Sequence, residues 1–165
     1  MKKNFLNYFF LFFKRIILVS FFSFSSKADV VLGSLNAESS AISKIAGIII
    51  EAQRVAVEHI NSDGIGIKGK GLIELQRVDT ACDPVRGISK VNTFINRYSP
   101  DIILGPTCSS TTLAIAENIT IPKKIVLLSS SASSPSISTI DDENLVFRTI
   151  ASDTQQAYTI EKYLI

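Results

Sequence analysis

The feature that most constrains this chain is an alternation of short apolar runs, each bounded by turn residues, with segments of helix length. Val30 to Leu35, Leu72 to Val78, Ile102 to Leu104, Ile125 to Leu128 and Leu145 to Arg148 read as strands. Between them, Ser43 to Asn61 places Ile45, Ile48, Ile49, Ala52, Val55, Ala56 and Ile60 near one helical stripe. A second helix is predicted from Pro84 to Arg97, with Asp83 as N-cap, Pro84 at the first helical position, and Val85, Ile88, Val91 and Ile95 buried. A third begins near Ser110 and runs to Asn118. Strands separated by helices pair in parallel, because a parallel connection needs a crossover of a dozen residues or more. The expectation is an α/β fold: a parallel sheet flanked by helices on both faces.

Ligands of such folds bind beyond the carboxyl ends of the strands. Here those segments are Asn36 to Ala41, Asp79 to Asp83, Gly105 to Ser110 and Ser129 to Ser134, and three of the four are rich in hydroxyls. Where such loops enter helices, unpaired backbone N–H groups favour anions such as a carboxylate.

The first 24 residues are a separate object, holding eight of the ten phenylalanines. Lys2, Lys3, Lys14 and Arg15 precede an apolar run from Ile16 to Phe24, and small residues at Ser26 and Ala28 fit a signal-peptidase site. Residues 1–28 are therefore expected to be a signal peptide cleaved after Ala28. An uncleaved anchor is the alternative, since Phe5 to Phe13 adds a second apolar block. Removing residues 1–28 takes away five basic and no acidic side chains, so the formal charge falls from +2 to −3. A mildly acidic domain lacks the clustered cations that nucleic-acid binding requires.

In an exported chain the two cysteines, Cys82 and Cys108, suggest a disulfide, with two free thiols as the alternative. No metal site is expected, because there is no CxxC and His59 is the only histidine. That histidine lies inside the first helix, away from the strand ends, so no hydrolase triad converges and no catalytic residue is assigned. Asn118-Ile-Thr120 is read as a chance glycosylation sequon.

Two nucleotide motifs fail on context. Gly64 to Gly69 satisfies GxGxxG, and Gly64 to Lys70 the opening of a P-loop. Both follow a helix and precede a strand, the reverse of what phosphate binding needs, and Gly71 stands where a P-loop requires Ser or Thr. No nucleotide and no other cofactor is expected, and Asn61 to Gly71 reads as a helix stop and glycine turn.

Several segments together resemble the branched-chain amino-acid-binding proteins of ABC transporters. They are Asn61-Ser-Asp-Gly64, Ile67-Lys-Gly-Lys70, Asp79-Thr-Ala-Cys82-Asp-Pro84 and Ile103-Leu-Gly-Pro-Thr-Cys108-Ser-Ser-Thr-Thr112. Ser129-Ser-Ser-Ala-Ser-Ser-Pro135 and Val146-Phe-Arg-Thr149 continue the match, with Asp153 and Gln155 after them. The resemblance implies the first lobe of a type I periplasmic binding protein over residues 29–165, with Cys82 and Cys108 as the first-lobe disulfide. It also implies periplasmic localisation, a small amino acid or similar polar ligand, and a membrane ABC permease as partner.

By the same resemblance, Ser109 holds the ligand's α-carboxylate through its hydroxyl and backbone N–H. Ser131 offers its backbone carbonyl to the α-ammonium, and Ser133 stands where the family has a head-group-binding Thr. The loop Asn36 to Ala41 departs from the family, which has Gly-Pro and often an aromatic there. The second lobe, which in the family supplies an acidic residue to the ammonium, is expected to be absent, so the chain reads as a truncated or degenerate copy. An extracellular ligand-sensing domain of a receptor with the same fold is the alternative.

Overall fold

The computed structural model describes residues 30–164; the signal-peptide and cleavage expectations lie outside them. In chain order the elements are β1 (Val30–Asn36), α1 (Ser43–Asn61), β2 (Ile73–Asp79), α2 (Pro84–Tyr98), β3 (Ile102–Leu104) and α3 (Ser109–Ile115). Helix α3 runs on through a π-helical turn (Ala116–Thr120), followed by β4 (Val126–Ser129), a 3-10 turn (Pro135–Ser138), β5 (Val146–Arg148) and α4 (Asp153–Leu164).

The strands form one parallel sheet in the order β2-β1-β3-β4-β5. The chain therefore reverses its winding direction at β1, and the gap between β1 and β3 is where a doubly wound sheet opens a crevice at its carboxyl edge.

Register decides which side chains share a face. Gly33 pairs with Ile103, Ile103 with Leu127, and Leu127 with Val146. With Leu35 two residues on from Gly33, the period of two puts Leu35, Ile103, Leu127 and Val146 on one side of the sheet. They form the main core with Val91, Phe94 and Ile95 of α2 and Ile115 of α3. Glycine at 33 leaves room for a ring: a Cβ there would lie 2.6 Å from Phe94 Cε1. Gly87 does the same between α2 and α3, where a Cβ would lie 2.8 Å from Thr111 Cγ2.

The opposite side is covered by α1 over β1 and β2. Two expectations about helix faces are corrected. The expected stripe is not the buried face of α1: Ile45, Ile48 and Val55 are exposed at 52%, 71% and 51%, Ala52, Ala56 and Ile60 are exposed too, and only Ile49 is half-buried, whereas Ala46 and Ile50, outside the stripe, are buried. The helix is turned so that Ala46, Ile50, Gln53 and Val57 face the sheet, with the Gln53 side chain bonded to Ser34 of β1, which points the apolar stripe away from the contact. Val85, in the first turn of α2, is also outside the core at 79% exposed, since that helix buries the face of Gly87, Val91, Phe94 and Ile95 instead.

Asp83 caps α2 as its sequence position implies, its carboxylate accepting from Arg86 N at 2.9 Å. The glycine segment after α1 closes a hairpin rather than opening a helix: Ile67 and Gly71 bond reciprocally at 2.8 and 2.9 Å. Gly66, at φ +67°, lies so near Gly71 that a Cβ would be 2.3 Å from its carbonyl oxygen. No helix among the described residues is long and apolar enough to cross a membrane.

Candidate site at the carboxyl edge of the sheet

The turns after β3 and β4 lie side by side because their strands are neighbours. Gly105 lets the chain leave β3 against β1: its φ is +100°, and a Cβ would lie 2.0 Å from Leu35 O. No side chain fits there. The turn is then bound to β4, as Ser129 Oγ donates to Pro106 O at 2.7 Å and accepts from Ala132 N at 3.1 Å.

Three serines carry the candidate chemistry, and each is half-buried. Ser109 opens α3, and its Oγ accepts from Ser134 N at 3.2 Å, joining the two turns. Ser131 Oγ donates to Thr107 O at 2.8 Å, a second tie between them. Ser133 holds the following segment, its carbonyl accepting from Asp153 N at 2.9 Å at the start of α4. The structure thus brings Ser109 and Ser131 onto one shared pair of turns, whereas the bond of Ser133 runs to the start of α4.

The polar groups left over are complementary. The N-cap of α3 is Cys108, which makes no side-chain cap hydrogen bond, and the first intrahelical bond runs from Thr112 N to Cys108 O at 2.9 Å. The N–H groups of Ser109, Ser110 and Thr111 therefore have no backbone acceptor among the described residues, as expected of a helix first turn. The Ser131 carbonyl accepts no hydrogen bond among the described residues. Donors suited to an anion and an acceptor suited to an ammonium stand on adjacent turns.

Cys82 and Cys108 are joined, with Cα atoms 5.5 Å apart. The bond ties the turn before α2 to the start of α3. Ala81 and Cys82 both take left-handed backbone conformations, at φ 53° and 62°, to bring the sulfur across.

A buried polar relay supports these turns from beneath. Ser34 Oγ donates to Gln53 Oε1 at 2.6 Å and accepts from Asn36 Nδ2 at 2.9 Å. Thr107 Oγ1 donates to Asn36 Oδ1 at 3.0 Å, and Thr80 Oγ1 to Asn36 O at 3.0 Å. Ser34, Asn36 and Thr80 are fully buried, so every bond here replaces one with water.

Asp79 organises the loop after β1. Its carboxylate accepts from Glu38 N at 3.0 Å, Ser39 N at 3.2 Å and Ala81 N at 2.9 Å, and from Arg86 Nη2 at 2.8 Å. Burial disfavours the charged form, but the Ser39 hydroxyl, the Ala81 and Ser39 N–H groups and the Arg86 charge outweigh it. The carboxyl is held below the usual carboxylate range.

Sequence reasoning missed the relay, and used Asp79 and Arg148 only as parts of motifs. Arg148 Nη1 donates to Ser134 O at 2.8 Å, holding the turn after β4 from β5. The available signal for the relay was Ser34 and Asn36 standing at alternate positions in an otherwise apolar strand, a polar pair on one sheet face.

Comparison with known proteins bears on the family and the fold. Residues 50–164 match the family described as "Receptor family ligand binding region". The chemotactic signal transduction system substrate-binding protein BasB of Halobacterium salinarum is 34% identical over 110 residues, which are 65% of this chain and 26% of that protein. The Leu/Ile/Val-binding protein of Escherichia coli K12 is 28% identical over 152 residues, 90% of this chain and 39% of that protein. This chain thus spans about two fifths or less of such relatives.

Among solved structures, an ABC transporter substrate-binding protein from Desulfitobacterium hafniense in complex with Leu superposes with TM-score 0.69 at 23% identity, covering 82% of this chain and 38% of that one. LivJ from Streptococcus pneumoniae, in complex with isoleucine, gives 0.67 at 22% identity, covering 75% and 34%. The five-stranded parallel sheet and its helices have the type I periplasmic-binding-protein fold of these structures. The chain belongs to the receptor-family ligand-binding regions and corresponds, within them, to the N-terminal part of the branched-chain amino-acid-binding proteins.

Proposed function

We propose that this chain is the N-terminal lobe of an exported substrate-binding protein that presents an amino acid to a membrane ABC permease. The supporting observation is the pairing of unmatched groups: first-turn N–H groups of α3 beside the unpaired Ser131 carbonyl. In this reading Ser109 and the α3 amides take the α-carboxylate, the Ser131 carbonyl takes the α-ammonium, and Ser133 Oγ contacts the head group. Residues 1–28 serve as the signal peptide and the site of action is the periplasm. Residues 29–165 provide one wall of the cleft. The groups of this wall leave the ammonium without a carboxylate partner, so binding by this wall alone is weak or undetectable.

The test is a titration of the isotopically labelled full chain with leucine, followed by NMR. The expected result is fast-exchange shifts at the Ser109, Ser110 and Thr111 amides, lost when leucinamide, which lacks the carboxylate, replaces leucine. Shifts that leucinamide reproduces, or shifts confined to another part of the sheet, would overturn the assignment. A micromolar or tighter dissociation constant would overturn the claim that this wall binds weakly.

A second reading is favoured by one comparison, the similarity to a substrate-binding protein of a chemotactic signal transduction system. The same wall would then serve a sensor, with the ligand reported to a receptor instead of being transported. The two readings share the Ser109 site and separate on the partner: co-purification with a permease supports the first, and with a membrane signalling protein the second.

A further inference from the structure

Strand β2 is an edge strand, and the hydrogen bonds at its two ends reveal which of its backbone groups are free. Val30 N donates to Leu72 O at 3.2 Å and Thr80 N to Asn36 O at 2.8 Å. Even-numbered residues from 72 to 80 therefore turn their N–H and C=O groups toward β1, and odd-numbered residues turn theirs outward. At Ile73 the outward pair is satisfied: Asn61 Oδ1 accepts from Ile73 N at 3.0 Å and Asn61 Nδ2 donates to Ile73 O at 2.8 Å. At Leu75, Arg77 and Asp79 the backbone N–H and C=O groups meet no partner among the described residues.

This open edge forms one wall of a groove of about 330 Å³ whose other wall is α2. Arg86, Lys90, Thr93 and Arg97 line the α2 side, and their spacing of four, three and four residues keeps them on one stripe. From Arg86 to Arg97 the helix rises roughly 16 Å, about the length of five residues of extended chain. The carboxylates nearby are engaged, Asp79 by Arg86 and Glu74 by the Gln76 amide. Lys90 has no carboxylate partner among the described residues, and neither has Arg97, which lies over the Tyr98 ring at 5.1 Å.

We propose that this groove docks an acidic peptide in extended form, which adds to the sheet at Leu75 to Asp79 and sets its carboxylates against Lys90 and Arg97. Backbone pairing supplies the attachment and the cation stripe selects the charge. The groove follows β2 and α2, apart from the serine-rich turns after β3 and β4, so this docking stands independently of the amino-acid site.

The experiment uses the full chain and a fluorescein-labelled ten-residue peptide of alternating Glu and Thr, with a Lys/Thr peptide as control. Anisotropy should rise with the Glu peptide only, and binding should weaken with added salt. Lys90→Glu/Arg97→Glu should reduce affinity at least tenfold, while far-UV circular dichroism stays unchanged. In the unaltered chain, hydrogen exchange at the Leu75 and Arg77 amides should slow on binding, a readout that needs no variant. No binding, equal binding by the charge-reversed variant, or binding without slowed exchange at those amides would each overturn the proposal. So would capture by vesicles of anionic lipid with no response to the Glu peptide, which would make the stripe a membrane-surface contact.

Discussion

Asn61 completes β2 from outside the sheet: its side-chain amide exchanges two hydrogen bonds with the backbone of Ile73, at 2.8 and 3.0 Å. The residue that ends α1 thus also supplies the missing neighbour at the entry to the edge strand. Asn61→Ala leaves both backbone groups without that partner, and a loss of about 1 to 3 kcal/mol is expected in urea denaturation. Asn61→Asp keeps the acceptor and loses the donor, so it should fall between the two.

Asp79 gives a stability that depends on pH in a definite direction. Its carboxyl is held below the ordinary value of 3.8, so the unfolded chain takes up its proton first as pH falls. The contribution is full above that value and is lost as pH drops through the lower folded value. Urea midpoints of the unaltered chain and of Asp79→Asn should therefore differ at pH 7 and converge below about pH 4. A gap that persists unchanged to pH 2 would show that the loop does not depend on the charge.

Two glycines should respond in opposite senses to alanine. Gly105→Ala drives a Cβ to within 2.0 Å of Leu35 O at φ +100°, and a loss of about 3 kcal/mol or more is expected in thermal or urea unfolding. Gly47 lies inside α1 with nothing within 4 Å of its added Cβ. Gly47→Ala should raise stability by about 0.5 to 1 kcal/mol.

The Cys82–Cys108 bond closes a segment with a sequence separation of 26. Cys82→Ser/Cys108→Ser should lower unfolding stability by about 3 kcal/mol on the chain-entropy account. Amide exchange at Ser109 to Thr111 should also accelerate, because the bond anchors the first turn of α3.

The strands and the helices α1 to α3 were legible because each apolar run was short and bounded, and α1 and α2 carried their own signals, Asn61 as a stop and Asp83-Pro84 as a cap; α4 was not among the expected elements. The sheet's burial was less legible. Ile45, Ile48 and Val55 satisfy a helical period yet stay half or more exposed, since period reports which residues share a face and not what lies opposite. The serines at 109 and 131 were placed by following strand ends into helix starts. The bonding roles of Asp79 and Thr107 escaped notice because their partners lie 40 and 71 residues away in sequence, at Ser39 and Asn36, a relation that only the closed sheet creates.

The buried relay of Gln53, Ser34, Asn36 and Thr107 has a consequence for how the strands find their alignment. A slip of β1 by two residues would keep every apolar side chain on its own face, so hydrophobic burial alone barely resists it. The same slip would strand the Asn36 amide among carbon atoms, at a cost of about 1 to 3 kcal/mol for each group left without a partner. A few polar atoms act as the index notch that lets the strand seat in only one position.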